Sequence, residues 1–132
     1  MNSENTKKLW NKYPKIFAGK NKSINQSLIP FGFECGDGWY WLIDNLCNCI
    51  QSYIDSNSHL NIMQVEATQV KEKYGTLNFY IVGGDQTIDG MIWLVEHQSG
   101  NICELCGSTE NVTQSNGWIS TRCEKCKEKC YI

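Results

Sequence analysis

Hydrophobic positions along the chain fall into periodic stretches separated by polar, glycine-containing connections. Trp39, Leu42, Ile43, Leu46, Cys47, Ile50, Tyr53 and Ile54 recur at the spacing of a helix with one buried stripe. Asp37 stands where a side chain would cap its first turn. Cys47 on that stripe reads as a small apolar residue, and Cys35 and Cys49 have no partner at ligand spacing. From Ile62 to Gly84 the pattern changes to alternation, with a turn at Tyr74 and Gly75 and with Leu77, Phe79 and Ile81 on one face of the second strand. In the first strand Met63, Val65 and Ala67 share a parity that Val70 breaks, which predicts a bulge near Thr68 or Gln69. After Gly83 and Gly84, Ile88, Met91, Ile92 and Val95 form another helical stripe, capped by Asp85 or Thr87 and stopped by Gly100.

These elements predict an α+β protein: a helix–β-hairpin–helix core over residues 31–100, preceded by residues 1–30 as a basic amphipathic segment with a short helix. The tail, residues 101–132, has a different logic. Cys103 and Cys106 are separated by two residues, as are Cys123 and Cys126, with sixteen residues between the pairs. That is the spacing of a site with four thiolates and structural Zn2+. Gly107 permits the positive φ that a tight cysteine turn demands, and Asn116-Gly117 is a two-residue hairpin signal between strand-like runs. The expected unit is a C-terminal zinc ribbon with four cysteine ligands, in which Cys130 is a surplus thiol that competes with Cys126 for the fourth place.

At 132 residues and 15.1 kDa the chain suits one compact domain with a small appendage. A net charge of −2 does not describe a surface built for nucleic acid. Charge is uneven, however: Lys7, Lys8, Lys12, Lys15, Lys20 and Lys22 oppose only Glu4 in the first 22 residues, whereas Lys71 and Lys73 are the only cations from 23 to 102. The start lacks the apolar run of a secretory signal, and WYWLI and IWLV are too short to span a bilayer. A reducing cytosol and no membrane association are therefore expected, where clustered cysteines hold metal rather than pair as disulfides.

Four thiolates leave no open coordination position, so the expected metal is a scaffold. His59 and His97 belong to no metal or catalytic pattern, and GxSxG, GxxxxGK[ST], HExxH and GxGxxG are missing. Binding is expected rather than catalysis. The candidate contact residues are Tyr40 and Trp41, which fall off the helical stripe, Lys71, Lys73 and Tyr74 at the hairpin, and Trp118 and Arg122 in the tail. Arg122 is the only arginine, beside Cys123, and its planar fork suits a carboxylate inside the protein ahead of an external anion.

The ordered set GDGWY, VKEKYGTLNFY, ICELCG and GWISTRCEKC resembles a family of small zinc-ribbon proteins encoded by bacteriophages and prophages. The resemblance covers about residues 31–126 and includes Gly36, Asp37, Gly38, Trp39, Lys71, Lys73, Gly75, Phe79, Trp118, Arg122 and the four proposed ligands. No activity is established for that family as a whole, so the resemblance implies a phage setting in a bacterial host cytoplasm and no particular chemistry. The expected role is non-enzymatic binding of a host or phage protein, in interference with host defence. Two other readings stay open: sequestration of a small anionic, nucleotide-like ligand, and accessory nucleic-acid binding. A homo-oligomer is also left open.

Overall fold

The computed structural model describes residues 1–127. It is a mixed helix-and-sheet protein with the order α1 Ser3–Lys12, β1 Phe33–Glu34, α2 Tyr40–Ser56, β2 Glu66–Lys73, β3 Thr76–Val82, α3 Gln86–Ser99, β4 Val112–Gln114, β5 Thr121–Cys123 and α4 Glu124–Lys127. β2 and β3 form the expected antiparallel hairpin, with Val70 opposite Phe79 and Lys71 opposite Asn78. Tyr74 and Gly75 turn it at φ 53° and 83°. The register shifts between Ala67 and Gln69, so Thr68 is the bulged residue. Its carbonyl accepts from the Leu28 amide at 2.9 Å, which ties the irregular lead-in to the sheet.

β1 is a third strand that periodicity missed, because two residues cannot display alternation. It lies parallel to β2, with Phe33 beside Val70. α3 packs against β3 and α2. Its side chains also reach the outer edge of β3, where Ser99 Oγ accepts from the Leu77 amide and Glu96 Oε2 from that of Phe79. An edge strand thereby satisfies two amides without a further strand.

One apolar core runs through these elements. Leu9, Ile16, Phe17 and Ile29 from the lead-in are fully buried with Trp39, Ile43, Leu46, Ile50, Val65, Val70, Leu77 and Ile88. Phe17 meets Phe33 edge-on at 5.2 Å between ring centres. Asp44 is buried beneath α1, where it accepts from Tyr13 Oη at 2.7 Å and Lys12 Nζ at 2.9 Å. Burial, then the Asp44 hydrogen bond and charge, push the Tyr13 phenol well above its usual value.

Two local expectations are corrected. Asp37 does not cap α2, which begins three residues later at Tyr40 after a 3₁₀ turn over Asp37–Trp39. Its carboxylate instead accepts from the Asn2 amide and from Asn5 Nδ2, at 2.9 and 3.1 Å, and so holds the start of α1. Asn116-Gly117 is not a two-residue hairpin turn. The β4–β5 ladder runs to Gln114 and Thr121, one more backbone bond joins the Ser115 amide to the Ser120 carbonyl, and the longer connection is closed by Ser115 Oγ, which donates to the Trp118 carbonyl and accepts from the Ser120 amide. The serine satisfies loop backbone that a tighter turn would have paired in the ladder, and Trp118 is lifted into solvent.

Candidate metal centre and its seat

The Cys103 knuckle is built by backbone. Its amide donates to the Ser108 carbonyl, its carbonyl accepts from the Gly107 amide, and Gly107 takes φ 81°. The second knuckle leaves β5 at Cys123 and turns through α4 to present Cys126. The Glu124 amide anchors it by donating to the Asn111 carbonyl at 3.1 Å. The sulfurs of Cys103, Cys106, Cys123 and Cys126 then lie within 4.8 Å of one another. Cys106 and Cys123 are 3.6 Å apart, sulfur to sulfur. A disulfide would hold them at about 2 Å, while tetrahedral thiolates around zinc, each about 2.3 Å from the ion, would stand about 3.8 Å from each other. The donor set therefore fits a four-coordinate metal site. Cys130 lies outside the described residues.

Electrostatics agree with that fit. Burial opposes ionisation of Cys103, but the amides of Cys123, Cys106 and Leu105 point at its sulfur and draw its thiol down to about 6. Cys126 is pushed up to about 12 by burial and by the neighbouring thiols of Cys123, Cys106 and Cys103. The Cys106 thiol is also held above its usual value, and a cation between the sulfurs would favour their ionised forms. Cys35 differs: burial pushes its thiol up to about 12, and it belongs to no group of three or more metal-ligating side chains among the described residues.

The cysteine arm is seated on the core at two places, and both explain glycines. The Gly38 amide donates to the Glu104 carbonyl at 2.7 Å, the Gly36 amide to Glu104 Oε2 at 2.9 Å, and Trp39 Nε1 to the Ile102 carbonyl at 2.9 Å. A Cβ at Gly36 would stand 2.3 Å from the Glu104 oxygen, and one at Gly38 2.2 Å from the Cys103 oxygen. GDGW is thus a landing platform for the first knuckle, and the Gly36, Gly38 and Trp39 amides are already used by protein. At the second place the buried Thr121 hydroxyl donates to the Gly75 carbonyl, and a Cβ on Gly75 would meet Ile119 and Gln114 at 2.8 Å.

The candidate contact residues separate into distinct places. Tyr40 and Trp41 line a cleft of about 540 Å³ between α1, the start of α2 and the first knuckle, together with Lys8, Asp37 and Leu105. Lys73, Tyr74 and Trp118 come together in another cleft of about 410 Å³, between the tip of the β2–β3 hairpin and the β4–β5 loop. Lys71 lies on the same strand face as Lys73, opposite Asn78 and beside Glu34. Arg122 sits in β5 opposite Thr113, and its positive charge acts on Glu104. Burial nevertheless holds the Glu104 carboxyl above its usual value. Glu104, Glu72 and Ile119 went unrecognised in the sequence. Glu104 and Ile119 act through contacts between segments far apart in the chain and Glu72 through the Gly75 amide of its own turn, and only the glycines facing Glu104 carried a signal of close approach.

Comparison with family models, with curated proteins and with solved structures finds no match to this chain. No helix among the described residues is long and apolar enough to cross a membrane.

Proposed function

We propose that this chain is a non-enzymatic binding protein whose C-terminal arm is a zinc ribbon, held by Cys103, Cys106, Cys123 and Cys126. The observation that supports this reading is the convergence of four sulfurs within 4.8 Å at the end of an arm that hydrogen-bonds into the core. Saturated by four thiolates, zinc supplies a crosslink that fixes the two knuckles and contributes folding free energy to a segment with little apolar core of its own. In the described arm the buried cluster consists of Cys103, Cys123 and Cys126, with Val112 packed against it. The chain's own residues do the rest: Gly36 and Gly38 accept the first knuckle, Thr121 grips the hairpin turn, and the exposed rings are left for a partner. On the resemblance drawn from the motifs, that partner is a host or phage protein met in a bacterial cytoplasm.

Native mass spectrometry of reduced, freshly purified protein tests the scaffold. One zinc ion per chain is the expected result, lost in Cys103→Ser and in Cys123→Ser together with a fall in thermal stability. A chain that folds to the same stability with no metal, or whose zinc content is unaffected by both substitutions, would refute the reading.

A further inference from the structure

Tyr74 and Trp118 are the most exposed large apolar side chains among the described residues, at 73% and 84%, and they line the same cleft although they are far apart in sequence. Ile119, Gly117, Glu72 and Lys73 complete its lining. Tyr74 also adopts φ 53°, a left-handed conformation that costs an L-residue with a bulky side chain about 1–2 kcal/mol. A turn of this type favours Asn before Gly. The ring is therefore held in the open, against local preference, at the rim of an apolar cleft. Such departures from local consistency concentrate at functional sites, and Trp and Tyr are the side chains that most often dominate protein interfaces.

Charge says what kind of partner fits. Lys73 Nζ stands 5.6 Å from the Tyr74 ring centre, and Lys71 lies about 7 Å further along the same strand face. Ion pairs among the described residues engage Lys8, Lys12 and Lys22, but neither Lys71 nor Lys73. Glu72 is turned to the turn backbone, its Oε1 accepting from the Gly75 amide at 2.8 Å. The lining offers no amide or hydroxyl side chain other than the Tyr74 phenol to read the edge of a base.

Resting on the scaffold reading above, we propose that this cleft is the docking site for an extended, acidic segment of a partner protein. One large apolar side chain sits between Tyr74 and Trp118, and its flanking carboxylates pair with Lys73 and Lys71. The cleft has one wall on the core hairpin and the other on the metal-held arm, joined by the Thr121 contact to Gly75. Occupancy of the cysteine site and docking are consequently linked: each strengthens the other.

Selection of random displayed peptides on the zinc-loaded full chain tests this directly. Enriched peptides are expected to carry an aromatic or long aliphatic residue flanked by Asp or Glu. The affinity of a synthetic copy should fall about tenfold or more in Trp118→Ala and in Tyr74→Asn, and should weaken with added salt. Tyr74→Asn keeps the turn folded, so its loss of binding is not a folding defect. No enrichment, enrichment of basic or uncharged peptides, binding indifferent to both substitutions, or saturable AMP binding lost in Trp118→Ala would each overturn the proposal. Zinc content of the same preparations separates the two readings. A zinc-loaded chain that selects no acidic peptide refutes the docking site alone, whereas Trp118-dependent acidic-peptide binding by a zinc-free chain refutes the scaffold alone.

Discussion

Asp44 and Tyr13 show what a single polar contact does when it is buried. The carboxylate lies under α1 with a phenol at 2.7 Å and an ammonium at 2.9 Å, so its charge is answered from two sides. The folded protein holds the Tyr13 proton more tightly than the unfolded chain does, because burial and the Asp44 contact both raise its phenol. This contribution is complete below the ordinary tyrosine value of about 10 and is lost as pH rises above it. Denaturant titrations across that window should therefore show stability falling with alkali. In Tyr13→Phe the fall should be shallower, with a cost of about 1 kcal/mol at neutral pH from the lost hydrogen bond. An unchanged alkaline slope in that variant would remove Tyr13 as the cause.

The β2–β3 hairpin carries a conflict between its turn and its surface. Val70, Leu77 and Phe79 face the core and set the register, and the Thr68 bulge keeps that face buried while it releases a carbonyl to Leu28. Gly75 meets its positive φ without cost and lies too close to the arm for a Cβ, but Tyr74 meets the left-handed region with a full side chain. Tyr74→Asn should relieve about 1 kcal/mol of backbone strain and raise the melting temperature. The same change that steadies the turn is expected to abolish docking, a trade of stability against function. A lower melting temperature in this variant would show that the exposed ring stabilises the fold by contacts stronger than the strain.

At the scale of the whole molecule, the arm is part of the fold rather than a pendant. It meets the core through Glu104 on Gly36 and Gly38, through Ile102 on Trp39 and through Thr121 on Gly75. If the cysteine site holds zinc, its removal should be felt at all of these places. Treatment with a strong chelator is expected to lower the melting temperature and to accelerate hydrogen exchange at the Gly36 and Gly38 amides, while the Val70 and Phe79 amides remain protected. Exchange at Gly38 that ignores chelation would show that the knuckle keeps its seat without metal.

Short-range pattern was enough for α2, the β2–β3 hairpin, its bulge, α3 and the sulfur cluster, while the structure chose Asp85 over Thr87 as the cap of α3. Periodicity, turn chemistry and ligand spacing are properties of neighbouring residues. Tertiary structure alone decided that Asp37 would hold α1 instead of capping α2, and that the glycines of GDGW would receive Glu104. It also decided that Tyr74 would line one cleft with Trp118 while Trp41 faced a different one. Each of those outcomes depends on which distant backbone arrives within contact distance. A local pattern does not encode it, because the same short motif satisfies its hydrogen bonds equally well with water, with its own helix or with another part of the chain.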